Sequence, residues 1–109
     1  LESFERRQRM AYRYALAEHG KTLATRPLGQ ELRTDLVQRA GRAEIVALDF
    51  SGILSTSHSF ADEFVARLAE EIETGEVTFV INISGASPDV ERVVLKALER
   101  RRVDAPVLL

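Results

Sequence analysis

The sequence predicts a small α/β domain built on a mostly parallel sheet. Apolar stretches of strand type alternate with stretches of helical period, and Gly or Pro punctuates most of the junctions. The order is helix, then strand and helix three times over, with a short edge strand at the end. A chain of 109 residues is the size of one domain.

Each element has its own signal. Glu2–His19 lacks Pro and Gly and stops at Gly20, as a helix does, but its apolar stripe of Phe4, Ala11 and Tyr14 is thin. It is expected to be a helical extension over residues 1–19, suited to a dimer contact or to the tail of a preceding domain. A start at Leu1 rather than Met fits a fragment of a longer protein. The α/β domain proper is expected over residues 20–109. There Lys21–Arg26 reads as a strand closed by Pro27, and Leu28, Leu32, Leu36, Val37 and Ala40 then recur at helical spacing up to Gly41.

Glu44–Phe50 holds Ile45, Val46, Ala47 and Leu48 in a row, the pattern of a strand buried on both faces. Ile53–Thr56 prolongs it or forms a short extension. Phe60, Phe64, Leu68 and Ile72 mark a second helix, whose opposite face carries Asp62, Glu63, Glu70, Glu71 and Glu73. Thr74-Gly75 ends it. Val77–Ile83 is the richest strand segment in β-branched residues. Ser87 then caps a third helix with Pro88 at its first position, acids near its start and Arg100–Arg102 at its end, as the helix dipole favours. Pro106–Leu109 is the edge strand.

Composition excludes several classes of function. With 15 Lys+Arg against 17 Asp+Glu the net charge is −2, so a strongly basic nucleic-acid module is excluded, and Arg6, Arg7, Arg9 and Arg13 make no recognition motif. There is no cysteine, hence no disulfide, thiol nucleophile or cysteine metal site. The longest uncharged stretches, Phe50–Ala61 and Val77–Pro88, are too short to span a bilayer, and no signal peptide is visible. A cytoplasmic location without membrane or nucleic-acid partners is expected. Neither GxxxxGK[ST] nor GxGxxG occurs, so nucleotide hydrolysis has no support. Residues 43–89 carry one basic and nine acidic side chains, which makes the middle of the chain acidic and its two ends basic.

One hydroxyl-rich segment carries the chemistry, running from Asp49 through Ser55, Thr56, Ser57, His58 and Ser59 to Asp62 and Glu63. Ligands of open α/β sheets gather at the carboxyl ends of strands, and a helix start there favours an anion. Ser59 with Asp62 forms an S-x-x-D helix start, so it is read as a cap and also as a phosphoryl acceptor. Arg26, Asn82 and Ser87, from the neighbouring connections, are the expected anion contacts. A Ser59–His58–Asp49 enzyme ranks last, because a base seldom reaches a nucleophile from the adjacent position. No metal or cofactor is expected.

Leu48-Asp49-Phe50-Ser51-Gly52-Ile53 and Ser57-His58-Ser59-Phe60-Ala61-Asp62-Glu63 together resemble the STAS domain, the sulfate-transporter and anti-sigma-factor-antagonist module. They look most like a bacterial STAS-like family of unassigned function. Thr25-Arg26, Gly29 and Leu32-Arg33 resemble that family's first strand and helix, and Asn82 with Ser87-Pro88-Asp89-Val90 resembles its last loop and helix. The resemblance spans roughly residues 20–100 and implies a STAS-like fold. In anti-sigma-factor antagonists a serine at the helix start after the central strand is phosphorylated by a histidine-kinase-like ATPase, and that position falls on Ser59. The antagonists have Asp two residues before it and Gly after it, where this chain has Ser57 and Phe60. The expected function is a non-catalytic regulatory module that binds such an ATPase, or an adjoining regulatory domain, through Ser55–Glu63 and the acidic helix. The alternative is a sensor of small molecules or anions at the strand ends.

Overall fold

The computed structural model describes residues 11–104 and 107–108. Four parallel strands form the main sheet in the order β1-β3-β5-β6: β1 (Ala11–Ala15), β3 (Ile45–Asp49), β5 (Val80–Ser84) and β6 (Val107–Leu108). A separate parallel pair joins β2 (Thr22–Leu23) to β4 (Ser55–Thr56). The helices are α1 (Arg26–Ala40), α2, and α3 (Pro88–Arg100). In α2 a four-residue α-helical start (His58–Ala61) runs through a π-helical stretch (Asp62–Ala66) into Arg67–Glu73. Among the described residues no helix is long and apolar enough to cross a membrane.

The mixed α/β class with a parallel sheet is as expected, and several elements are corrected: the strand expected over Val77–Ile83 runs from Val80 to Ser84, and Ser55–Thr56 joins the separate pair with β2 rather than prolonging β3. Ala11–Ala15 is not helical: it pairs with Ile45–Asp49, with Tyr12 opposite Val46 and Tyr14 opposite Leu48. Alternating Tyr and small or charged residues suit a strand with one face turned inward, which explains why the helical stripe there is thin. Leu16–His19 follows as one 3₁₀ turn, and the part of the expected Glu2–His19 helix that precedes Ala11 lies outside the described residues. The sheet therefore begins before Gly20. Lys21–Arg26 is also shorter as a strand than expected, because Thr25 leaves the extended path to cap α1. Its Oγ1 accepts from Leu28 N at 3.2 Å, and Arg26-Pro27 open the helix. Proline in a first helical turn loses no hydrogen bond that the helix would have made, so here it starts a helix rather than merely closing a strand.

Side chains on alternate strand positions divide the sheet into two faces. Tyr14, Val46, Leu48, Ile81 and Ile83 are buried in the core with Leu32, Leu36, Phe60, Phe64, Val90 and Val94 from the helices. The opposite face holds Arg13, Ile45, Ala47 and Asn82, and Ile45 is 42% exposed. The expectation that β3 is buried on both faces is therefore corrected: its middle residue Ala47 stays half-exposed. Asp49 ends the strand, only 8% exposed, and bonds to Arg13 Nε at 2.8 Å.

Gly29 sets how closely α1 approaches α2. A Cβ there would meet Glu63 Cβ at 3.0 Å and the Phe60 carbonyl at 3.2 Å. Only a glycine lets the two backbones lie this near without a shift. As a result the starts of α1 and α2 stand side by side.

Candidate functional site

The connection from β3 to α2 contains two different turns. In the first, Asp49 Oδ1 accepts from Ser51 N at 2.9 Å, Phe50 is buried, and Gly52 takes φ +83°. Gly85, from the loop between β5 and α3, sits against this turn at φ +70°. A Cβ on it would lie 2.8 Å from Ser51 N and 2.9 Å from Asp49 Oδ1. Ser51, through its hydroxyl and its N–H, holds the Asp49 carboxyl down to about 2, and Arg13 adds to the effect. Asp49 is thus committed to shaping the chain, and the Ser59–His58–Asp49 arrangement is not assembled.

The second turn starts α2. Ser57 is its cap: Ser57 Oγ accepts from Phe60 N at 3.0 Å and donates to the Ala24 carbonyl at 2.7 Å. The cap expected at Ser59 is therefore corrected to Ser57, two residues earlier. Ser59 is left exposed in the first helical turn, and its hydroxyl has no protein partner among the described residues. The Phe60 ring is fully buried and stacks on Phe64 with centroids 5.4 Å apart, so it turns away from that hydroxyl. Thr56 Oγ1 donates to the Leu23 carbonyl at 3.0 Å, tying β4 to β2, while Ser55 is exposed.

Ser59 borders a recess of about 260 Å³ lined by Arg26, His58, Asp62, Ala97 and Arg100. Of the expected anion contacts only Arg26 is here. Ser87 caps α3 at its far end, accepting from Val90 N at 3.2 Å, so at 1.5 Å per residue it lies about 15 Å along the axis from Ala97. Asn82 is in mid-strand on the open face of the sheet, in register with Ala47, whereas its neighbours Ile81 and Ile83 point into the core. Arg100 takes the place of both. The sequence contained it as one of three consecutive arginines, but nothing there showed which of them faces Ser59.

The acidic residues of α2 are mostly spent inside the molecule. Asp62 accepts from Arg26 Nη1 at 2.7 Å and from Arg101 Nη2 at 2.8 Å. The Arg101 guanidinium, with Arg26 beside it, holds the Asp62 carboxyl well below the usual carboxylate range. Glu63, 7% exposed, pairs with Arg33 at 2.9 Å, and Arg33 also binds Glu71 at 2.9 Å. Arg33 Nη1 donates as well to the Glu63 carbonyl at 2.7 Å, inside the π-helical stretch where the usual i to i−4 ladder is disturbed. Glu70 pairs with Arg101 at 2.7 Å, and Glu73 accepts from Asp104 N at 3.0 Å. The acidic face expected on this helix is present but largely paired, since these carboxylates tie α2 to α1 and to the end of α3. A larger recess of about 570 Å³ is bordered by Arg33, Glu70, Glu71 and Arg101 of this network together with Arg67, Glu73, Thr74 and Glu76.

Fold and site define a small parallel α/β domain with a hydroxyl presented at a helix start. The chain belongs to the family described as the STAS-like domain of unknown function (DUF4325), whose model matches residues 29–91. That span holds both turns, all of α2 and the start of α3. No curated protein and no solved structure matches the chain.

Proposed function

We propose that this is a cytoplasmic, non-catalytic regulatory module that engages a protein partner at the start of α2, with Ser59 as its phosphoacceptor. The observation that carries this reading is the division of labour between two serines. Ser57 both caps the helix and ties it to the Ala24 carbonyl, while the Ser59 hydroxyl is exposed and unengaged among the described residues. A phosphate on Ser59 would add a charge of about −2 beside Arg26 and Arg100 and change what that corner attracts. The resemblance to anti-sigma-factor antagonists makes a histidine-kinase-like ATPase the first candidate for the modifying partner, followed by an adjoining regulatory domain. The test is phosphosite mapping after incubation with ATP and an ATPase of that class. Label on Ser59 that Ser59→Ala removes is the expected result; label confined to Ser55 or Ser57 would sink the assignment.

A second reading is supported by the Arg100 guanidinium in the same recess, which enters no ion pair among the described residues and is suited to a free oxyanion, beside Arg26 held by Asp62. A thermal-shift series with phosphate and small carboxylates tests it. An anion that raises the melting temperature of wild type, but not of Arg100→Ala, would favour sensing over partner binding.

A further inference from the structure

We infer that the surface receiving the protein partner is the basic flank of α3, and that the partner segment is acidic with an apolar side chain. This deepens the reading of the Ser59 corner as a docking site, and it reverses the partner charge that the acidic middle of the chain suggests. The carboxylates Asp62, Glu63, Glu70 and Glu71 are paired with Arg26, Arg33 and Arg101, and so are poor bait for a basic partner.

The cations of α3 are differently placed. Arg92, Lys96 and Arg100 follow one another at intervals of four, which lines them up along one flank for about 12 Å. Lys96 and Arg100 are exposed and enter no ion pair among the described residues. Arg92 meets only Asp89, at 3.0 Å, with both side chains more than two-thirds exposed. Such a pair is worth little and is readily exchanged for another carboxylate. The stripe ends at Arg100, on the wall of the recess that holds Arg26 and Ser59. Leu95, 40% exposed on the same helix, offers the apolar contact that a row of charges lacks.

An acidic protein segment fits this surface better than a duplex does. DNA carries one charge per ~1.7 Å of axis, whereas the stripe carries three cations and shares its helix with Glu91 and Glu99. A phosphate on Ser59 would occupy Arg100 at the end of the stripe, Arg26 being already held by Asp62 and Glu63, and would weaken the docking, which gives the switch its sign.

The test uses the whole 109-residue chain, isotope-labelled for amide NMR and titrated with three probes. These are a synthetic helical peptide of leucine and glutamate, its leucine–lysine counterpart, and a short DNA duplex. The expected result is that the glutamate peptide alone shifts the amides of Arg92–Arg100, Arg26 and Ser59. The combined change R92E/K96E/R100E should then weaken it about tenfold or more at unchanged helicity. If that variant does not fold, Lys96→Gln with Arg100→Gln replaces it, with a smaller loss expected. Equal binding by either variant, shifts confined to α2 or the open sheet face, or tighter binding of the duplex at the same salt would each overturn the inference. Ser59→Asp separates the two ideas. If it leaves peptide binding unchanged while the α3 variants lose it, the surface stands and the Ser59 switch fails.

Discussion

The turn after β3 and the start of α2 are made of the same kinds of residue, and they behave in opposite ways. At Asp49–Gly52, carboxylate, serine amide and glycine are all used to bend the chain against Gly85. At Ser57–Asp62, one serine satisfies the backbone and the next is left over. The difference lies in how many backbone groups each turn must satisfy. A polar side chain becomes available for binding only after the local backbone donors and acceptors have found partners.

The largest expected effect comes from filling the first turn. Gly85→Ala places a methyl group against Ser51 and Asp49 at a φ of +70°, and should cost about 3 kcal/mol or more in urea unfolding. A loss under about 1 kcal/mol would show that this turn is as loose as the other.

Next comes the ion network beneath the second turn. Glu63→Ala leaves Arg33 near the core with one carboxylate fewer, and a loss of about 3 kcal/mol is expected. Restoration of most of it by Arg33→Met in the same chain would confirm the pairing by double-mutant cycle.

The paired serines give a smaller and sharper contrast. Ser57→Ala should lower stability by about 1 kcal/mol, while Ser59→Ala stays within about 0.5 kcal/mol of wild type. Equal losses at both positions would erase the division of labour on which the functional proposal depends.

The smallest effect concerns Arg13 and acid. Its side chain is largely exposed, so Arg13→Ala should cost only about 0.5 kcal/mol at neutral pH. Asp49 has a folded pKa of about 2, below its unfolded value of roughly 3.9, so its contribution is fully present above pH 4. That contribution is lost as the pH falls from about 4 to about 2. Urea midpoints across that range should drop in wild type, and in Arg13→Ala the drop should be smaller and end at a higher pH.

Much of the fold was legible because its signals are local. Gly41, Thr74-Gly75 and Ser87-Pro88 each act on a neighbouring turn of backbone, and each marks a helix boundary where expected. The misreadings share one cause. Ala11–Ala15 extends because a strand 34 positions away accepts it, and no local period reports that. Ser57 outcompetes Ser59 as cap because it also reaches the carbonyl of Ala24, from a different element.

The sequence by itself determined the family, the parallel α/β class, the helix boundaries at Gly41, Thr74-Gly75 and Ser87-Pro88, and the segment in which the candidate site lies. Those follow from composition, period and capping chemistry, which act over a few residues. Only the tertiary structure decided which charges remain available. Asp62 and Glu63 look like surface residues in a helical stripe, until Arg26, Arg33 and Arg101 arrive from two other helices to pair with them. Arg100, one residue before Arg101, is left facing Ser59. Coulomb pairing acts between whatever the fold brings within a few ångströms, so charge along the chain does not predict charge on the surface.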